Sequence, residues 1–200
     1  MTEAAITVSR TTKETDISLS LLQKGSGRAG INIDTPLPFF NHMLMAMAFH
    51  GGFCLQLKAS GDIDVDYHHL VEDTGLVLGD AFHKLLEKNV SVKRFGQALI
   101  PMDESLCEAV IDVAERAHLV YNAEYPQSKA GDFPLSLLKE FFYAFAQKAR
   151  INLHLSCRYG TNSHHIAEAL FKAFGKALSQ AYTPLEGTLL REDMSTKGAL

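Results

Sequence analysis

Apolar and polar residues in this chain follow two rhythms. Alternation at period two predicts strands over 4–10 and 15–22, where Ile6 and Val8, then Ile17, Leu19 and Leu21, are separated by polar residues. The same pattern predicts strands over 53–59, 94–100, 106–113, 118–124 and 151–158, with a short one at 31–33. Helical spacing appears four times. The first run carries Leu37, Phe40, Met43, Leu44, Met47 and Ala48, opens at Asp34-Thr35-Pro36 and stops at Gly51-Gly52. The second, over 69–88, carries Leu76, Val77, Leu78, Ala81, Phe82 and Leu85. The third opens at Asp132-Phe133-Pro134 and carries Leu137, Leu138, Phe141, Phe142 and Phe145. The fourth runs from Ala169 through Leu170, Phe171, Ala173, Phe174 and Ala177 to Leu178. Gly75 and Gly79 each cost about 1 kcal/mol against alanine inside a helix, which predicts close packing on a sheet. Asp62, Asp64 and Asp66 at period two read as a strand face; Asp62 is expected to be solvated, and those nearer the following histidines to approach any metal bound there.

Each half thus runs strands, helix, strand, helix. That order predicts an α+β fold of two half-units, 1–89 and 90–200, each a mixed or antiparallel sheet with helices on one face. Helices buried between the halves would hide Phe39-Phe40 and Phe141-Phe142.

Apolar residues make up 46% of the 200, enough for a substantial core, and the net charge of −4 gives no case for nucleic acid or an anionic membrane as partner. Cys54, Cys107 and Cys157 are odd in number and far apart. They read as reduced thiols, and a cytoplasmic location is expected. No apolar region follows Met1, so no secretory leader is expected, and no run reaches the ~20 apolar residues of a spanning helix.

Two stretches at helix starts carry the chemistry: His68-His69-Leu70-Val71-Glu72 and, 96 residues later, His164-His165-Ile166-Ala167-Glu168. On a helix the first histidine and the glutamate are i,i+4 neighbours. Consecutive residues point about 100° apart, so the two histidines of a pair each suit a different ion. The repeat points to two metals and a duplicated half-site. Imidazole with carboxylate suits manganese, iron, zinc or cobalt rather than calcium, and no cysteine lies near for a zinc-finger type of site. His42 and His50 share a helix face to within about 80°, and His154 sits on the polar side of its strand. The candidate ligands are His42, His68, His69, Glu72, His154, His164, His165 and Glu168: four per ion, which leaves octahedral positions open for water or substrate. Lys172 continues the row of His164 and Glu168, as a solvated ion pair or as a working group; Leu76 stands at the equivalent place in the first half. Arg94, Arg116, Ser195 and Lys197 are candidates for a phosphate clamp. A two-metal hydrolase, a ferritin-like store and an oligomer cemented by metal are the alternatives. The order His-x-x-Glu and the many strands argue against the ferritin-like bundle.

Nearly end to end, the chain resembles imidazoleglycerol-phosphate dehydratases. The motifs are Thr12-Lys13-Glu14-Thr15, Phe40-Asn41-His42-Met43-Leu44, His50-Gly51, His68 to Asp73, Arg94-Phe95-Gly96, Pro101-Met102-Asp103-Glu104, Leu153-His154, Asn162 to Glu168, Phe171-Lys172-Ala173 and Ser195-Thr196-Lys197-Gly198. The resemblance implies two repeats of a ribosomal-protein-S5-domain-2-like unit, two manganese ions per site, sites between subunits, and trimers assembling into a 24-mer. It places the eight ligands on the family's ligand positions, Glu14 on its acid/base glutamate and Lys172 on its catalytic lysine. Arg94, Arg116, Ser195 and Lys197 fall on its phosphate contacts and His50 on a substrate contact. The implied reaction is dehydration of an imidazole-bearing glycerol phosphate to imidazole acetol phosphate in histidine biosynthesis. Four places depart from the family pattern: Asn41 for Asp, Ala46 for Gln, Asp64 for His, and Ala114-Glu115-Arg116-Ala117 for Ser-Gly-Arg-Pro. None is a ligand.

Overall fold

The computed structural model describes residues 4–23, 27–89 and 91–185. The first half contributes β1 (Ile6–Thr11), β2 (Thr15–Leu22), β3 (Ile31–Asp34), α1 (Pro38–Gly51), β4 (Cys54–Gly61) and α2 (His68–Asn89). The second contributes β5 (Phe95–Met102), β6 (Ser105–Asp112), β7 (His118–Asn122), a small ribbon of β8 (Lys129–Ala130) and β9 (Phe133–Pro134), then α3 (Leu137–Ala149), β10 (Asn152–Tyr159) and α4 (Ser163–Ala181). Each half builds one four-stranded sheet, ordered β1-β2-β4-β3 and β5-β6-β10-β7. In each the last pair is parallel because a helix crosses between its strands, and the other pairs are antiparallel. This is the duplicated α+β plan that the hydrophobic pattern predicts.

Alternation gives each sheet one apolar face. Val8, Leu19, Leu57 and Ile33 pair in register across the first sheet, and Ile111, Leu153 and Leu119 across the second. Helices cover these faces and pack crosswise between the halves: α1 lies on α4 and α2 on α3. The result is one shared core. Phe40 of α1, Phe82 of α2, Phe141, Phe142 and Phe145 of α3, and Phe171 and Phe174 of α4 are all buried. Phe145 bridges Phe82 at 5.5 Å and Phe174 at 4.9 Å between ring centroids. Phe39, half-buried, packs at the edge of that core.

Three expectations are corrected. Gly75 and Gly79 face helix α3 rather than a sheet: a Cβ on either would come within 2.5 Å of the carbonyl oxygen of Phe141 or Phe145. Both central helices begin later than Asp34-Thr35-Pro36 and Asp132-Phe133-Pro134 suggest, α1 with Pro38 as its first residue. Asp34 belongs to β3, and Thr35 supplies the turn before α1: its hydroxyl accepts from Leu37 N–H at 3.1 Å and donates to the Asn41 side chain at 2.7 Å. Phe133–Pro134 folds back on Lys129–Ala130 through the left-handed Gly131, so α3 starts at Leu137. The Asp62–Asp66 stretch is a turn rather than a strand, closed by Val65 N–H to the Asp62 carbonyl at 2.9 Å. Among the described residues, no helix is long and apolar enough to cross a membrane.

The contact of α1 with α4 is as close as that of α2 with α3, since a Cβ at Gly175 would collide with the Met47 carbonyl. Gly175→Ala is therefore expected to lower stability by about 1–3 kcal/mol in urea unfolding, where an exposed helical site would gain ~1 kcal/mol. An unchanged or higher midpoint would contradict this packing.

Candidate active site

Helix α4 opens with Asn162 as its cap. The Asn162 side-chain oxygen accepts the backbone N–H of His164 at 2.9 Å and of His165 at 3.4 Å, fixing both in the first turn. One turn on, Glu168 Oε2 lies 3.2 Å from His164 Nε2. Helix α1 brings His42 Nε2 to 3.1 Å from the same oxygen. Ligand atoms of His42, His164 and Glu168 all fall within 4.8 Å of one another. The other oxygen, Oε1, pairs with Lys172 Nζ at 2.8 Å. Burial pushes the Glu168 carboxyl up, but the Lys172 and His42 contacts outweigh it and hold the group below its usual range. It is thus a carboxylate at neutral pH. A hollow of about 270 Å³ beside it is lined by His42, Ala46, Phe49, His50, Glu168 and Lys172. Burial, then the charges of Lys172 and Lys176, lower the His50 pKa, keeping that ring neutral at physiological pH.

The first motif repeats this plan in part. Asp66 stands where Asn162 does and accepts the His68 N–H at 2.7 Å. His68 Nε2 lies 3.5 Å from Glu72 Oε2. The helix packed on α2, however, is α3, which carries no histidine, so the pair has no counterpart to His42 from that helix.

In both motifs a carboxylate meets Nδ1 of the second histidine. Asp62 lies 3.1 Å from His69 Nδ1 and Glu104 lies 2.7 Å from His165 Nδ1. Such contacts fix the tautomer and leave Nε2 available to a ligand. They raise the pKa of each ring. Glu104 is in turn held far below the usual carboxylate range, first by His165 and then by backbone N–H groups, that of Asn162 among them. Asp62 is thus not a merely solvated residue, and Glu104, unmarked among the candidates, belongs to the site. The offset of 96 residues gave no hint of either, because the two acids come from turns that do not correspond. Glu14, on the β1–β2 turn, is 56% exposed with Oε2 3.8 Å from His69 Nδ1.

His154 lies elsewhere. Its neighbours Leu153 and Leu155 face the helices, so its ring stands on the open side of the second sheet, in register between Val110 and Val120. Arg116, Asp112 and Phe95 share a hollow of about 480 Å³ with it. Arg94 forks onto Asp112 at 2.7 and 3.2 Å and stacks on Phe95, two residues that line the hollow. Ser195 and Lys197 lie outside the described residues. One chain therefore gathers His42, His164, Glu168, Lys172 and His50 together, sets His68 with Glu72 and His69 with Glu14, and leaves His154 with the arginines on another face. Of the departures, Asn41 donates its amide to the Thr35 carbonyl at 2.9 Å, which an aspartate cannot do, and Ala46 lines the α1–α4 hollow. Nothing in the structure explains Asp64.

A family model described as imidazoleglycerol-phosphate dehydratase matches residues 35–178. The imidazoleglycerol-phosphate dehydratase of Gluconobacter oxydans is 51% identical over 172 residues, 86% of each chain. That of Pelobacter propionicus is 48% identical over 200 residues, the whole of both. The crystal structure of the Staphylococcus aureus enzyme superposes with a TM-score of 0.82 at 35% identity, covering 90% of this chain and 99% of that one. The Pyrococcus furiosus structure gives 0.81 at 36%, covering 96% and 100%.

Because Glu104 raises the His165 pKa, Glu104→Gln in metal-free protein is expected to lower the titration midpoint of that ring, and Asp62→Asn that of His69. Imidazole resonances followed by NMR against pH check this; midpoints that stay put would remove the carboxylates from the site.

Proposed function

The chain belongs to the imidazoleglycerol-phosphate dehydratase family, and on that premise we propose that it is a manganese-dependent hydro-lyase of histidine biosynthesis, acting in the cytoplasm. Its substrate is D-erythro-imidazoleglycerol phosphate and its product imidazole acetol phosphate. The observation that carries this reading is the convergence of His42, His164 and Glu168 within 4.8 Å, with Lys172 on the same carboxylate.

The donors suit the metal. Imidazoles beside an ionised carboxylate match a divalent manganese or iron, and second histidines held at Nδ1 match the usual orientation of metal-bound rings. His42, His68, His69, Glu72, His154, His164, His165 and Glu168 would hold two ions, with ligands drawn from both repeats, 1–89 and 90–200. Manganese, when bound, supplies Lewis acidity toward the imidazole nitrogens of the substrate.

The remaining work falls to side chains. Glu14 is the group for the carbon-bound proton, a reading supported by its exposed carboxylate beside His69. Lys172 is placed to guide a proton to the departing hydroxyl, which leaves with that proton as water; the resulting enol becomes the ketone. His50, neutral beside Lys172, faces the same hollow and is available for a hydrogen bond to the substrate. Arg116 and Arg94, with Ser195 and Lys197 of the tail, are the groups for the phosphate.

The placement of His154 supports a site shared between subunits. It stands on the opposite side of the second sheet from α4, and its neighbours Val110 and Val120 are each 37% exposed. A second copy covering that face brings His154 to the set held by another chain, as in trimers assembling to a 24-mer.

Two experiments test this. Metal-stripped protein is expected to form product only after manganese is added; equal turnover without it would contradict the metal's role. Glu14→Gln is expected to keep metal binding and assembly while losing turnover about a hundredfold or more, and unimpaired turnover would remove Glu14 from the reaction.

A further inference from the structure

The loop between β6 and β7 carries Arg116, and its conformation is unusual. Glu115 adopts φ +56°, in the left-handed region that favours glycine. A glutamate persists there only when its surroundings over-determine it. Here they do. Its side chain turns inward and is only 15% exposed. One carboxylate oxygen lies 3.6 Å from His83 Nδ1 on α2, and the other 3.6 Å from Arg150 Nη1 at the end of α3. Arg150 also donates to the Glu115 backbone carbonyl at 3.5 Å and is itself left-handed, at φ +55°. His83 Nδ1 is buried and has no closer hydrogen-bond partner.

The next residue turns the opposite way. Arg116 faces the open side of the sheet and lines the hollow with His154 and Asp112. The same loop is tied to the second arginine: Val113 N–H donates to the Arg94 carbonyl at 3.0 Å, and Asp112 holds the Arg94 guanidinium. One inward anchor thus holds a loop whose outward side presents Arg116 to the hollow, with Arg94 tied beside it through Asp112.

We propose that Glu115, held by His83 and Arg150, is a positioning residue that aims Arg116 at the phosphate of the substrate; this rests on the phosphate role of Arg116 given above. Glycine takes this backbone without strain, and glycine is what the family pattern has at this place. In this chain a charged side chain stands there instead, and its contacts with His83 and Arg150 tie the loop that presents Arg116 to α2 and α3.

Steady-state kinetics on the manganese-loaded assembly test the assignment. Glu115→Gly relieves the backbone but removes the anchor. It is expected to raise KM about threefold to tenfold, with kcat within about twofold and Tm not lowered. Glu115→Gln, which keeps the shape and one polar contact, is expected to recover part of the loss. Arg116→Ala is expected to raise KM about tenfold or more, and adding Glu115→Gly to it to change nothing further. If Glu115→Gly leaves KM at the parent value, or adds its full effect in the Arg116→Ala background, the positioning role is overturned while the role of Arg116 stands. If Arg116→Ala leaves KM unmoved, the phosphate role fails and takes the positioning role with it.

Discussion

Helix α1 can lie directly on helix α4 because residue 175 has no side chain. Its neighbour across the contact is the backbone of Met47, with no room for even a methyl group. Glu168 is about 10 Å further back along α4, where the same contact delivers His42 to its carboxylate. α1 belongs to the first half of the chain and α4 to the second. The three-ligand group therefore exists only when the halves are folded together, and the shared aromatic core holds them so. The contact of α2 with α3 uses Gly75 and Gly79 in the same manner but brings no histidine. The repeats are thus equal in fold and unequal in chemistry.

Electrostatics finish what packing begins. Glu168 divides its oxygens between two imidazoles and an ammonium, which keeps it ionised despite burial. Asp66 and Asn162 cap the two motif helices from matching positions, so that each His-His pair falls in a first turn. Asp62 and Glu104 hold the second histidine of each pair through one ring nitrogen. Similar orientation is thereby achieved by acids from turns that do not correspond.

Much of this was legible in the amino-acid order. Strand alternation placed His154 on a polar face, and that face is open. The repeated His-His-x-x-Glu put its residues at helix starts, and they are there. What escaped depends on tertiary approach. Period and propensity say that Gly75 needs a close neighbour but not whether it is a strand or a helix. Pro36 and Pro134 mark the approach to α1 and α3 but not their first residues, because Thr35 with Pro38 and the Gly131 reversal decide those. Glu104 reaches His165 across 61 positions, and no local pattern encodes that.

Separation of His154 from the α4 ligands by the thickness of a sheet leads to the central claim, that a working site draws on more than one chain. Complementation measures this directly. His154→Ala and Glu168→Ala, each expected to be inactive, are unfolded together and reassembled with manganese. Shared sites predict recovered turnover in the mixture, because an intact His154 from one chain meets an intact Glu168 from another. A mixture as inactive as its components, although both variants assemble, would contradict a site shared in this way.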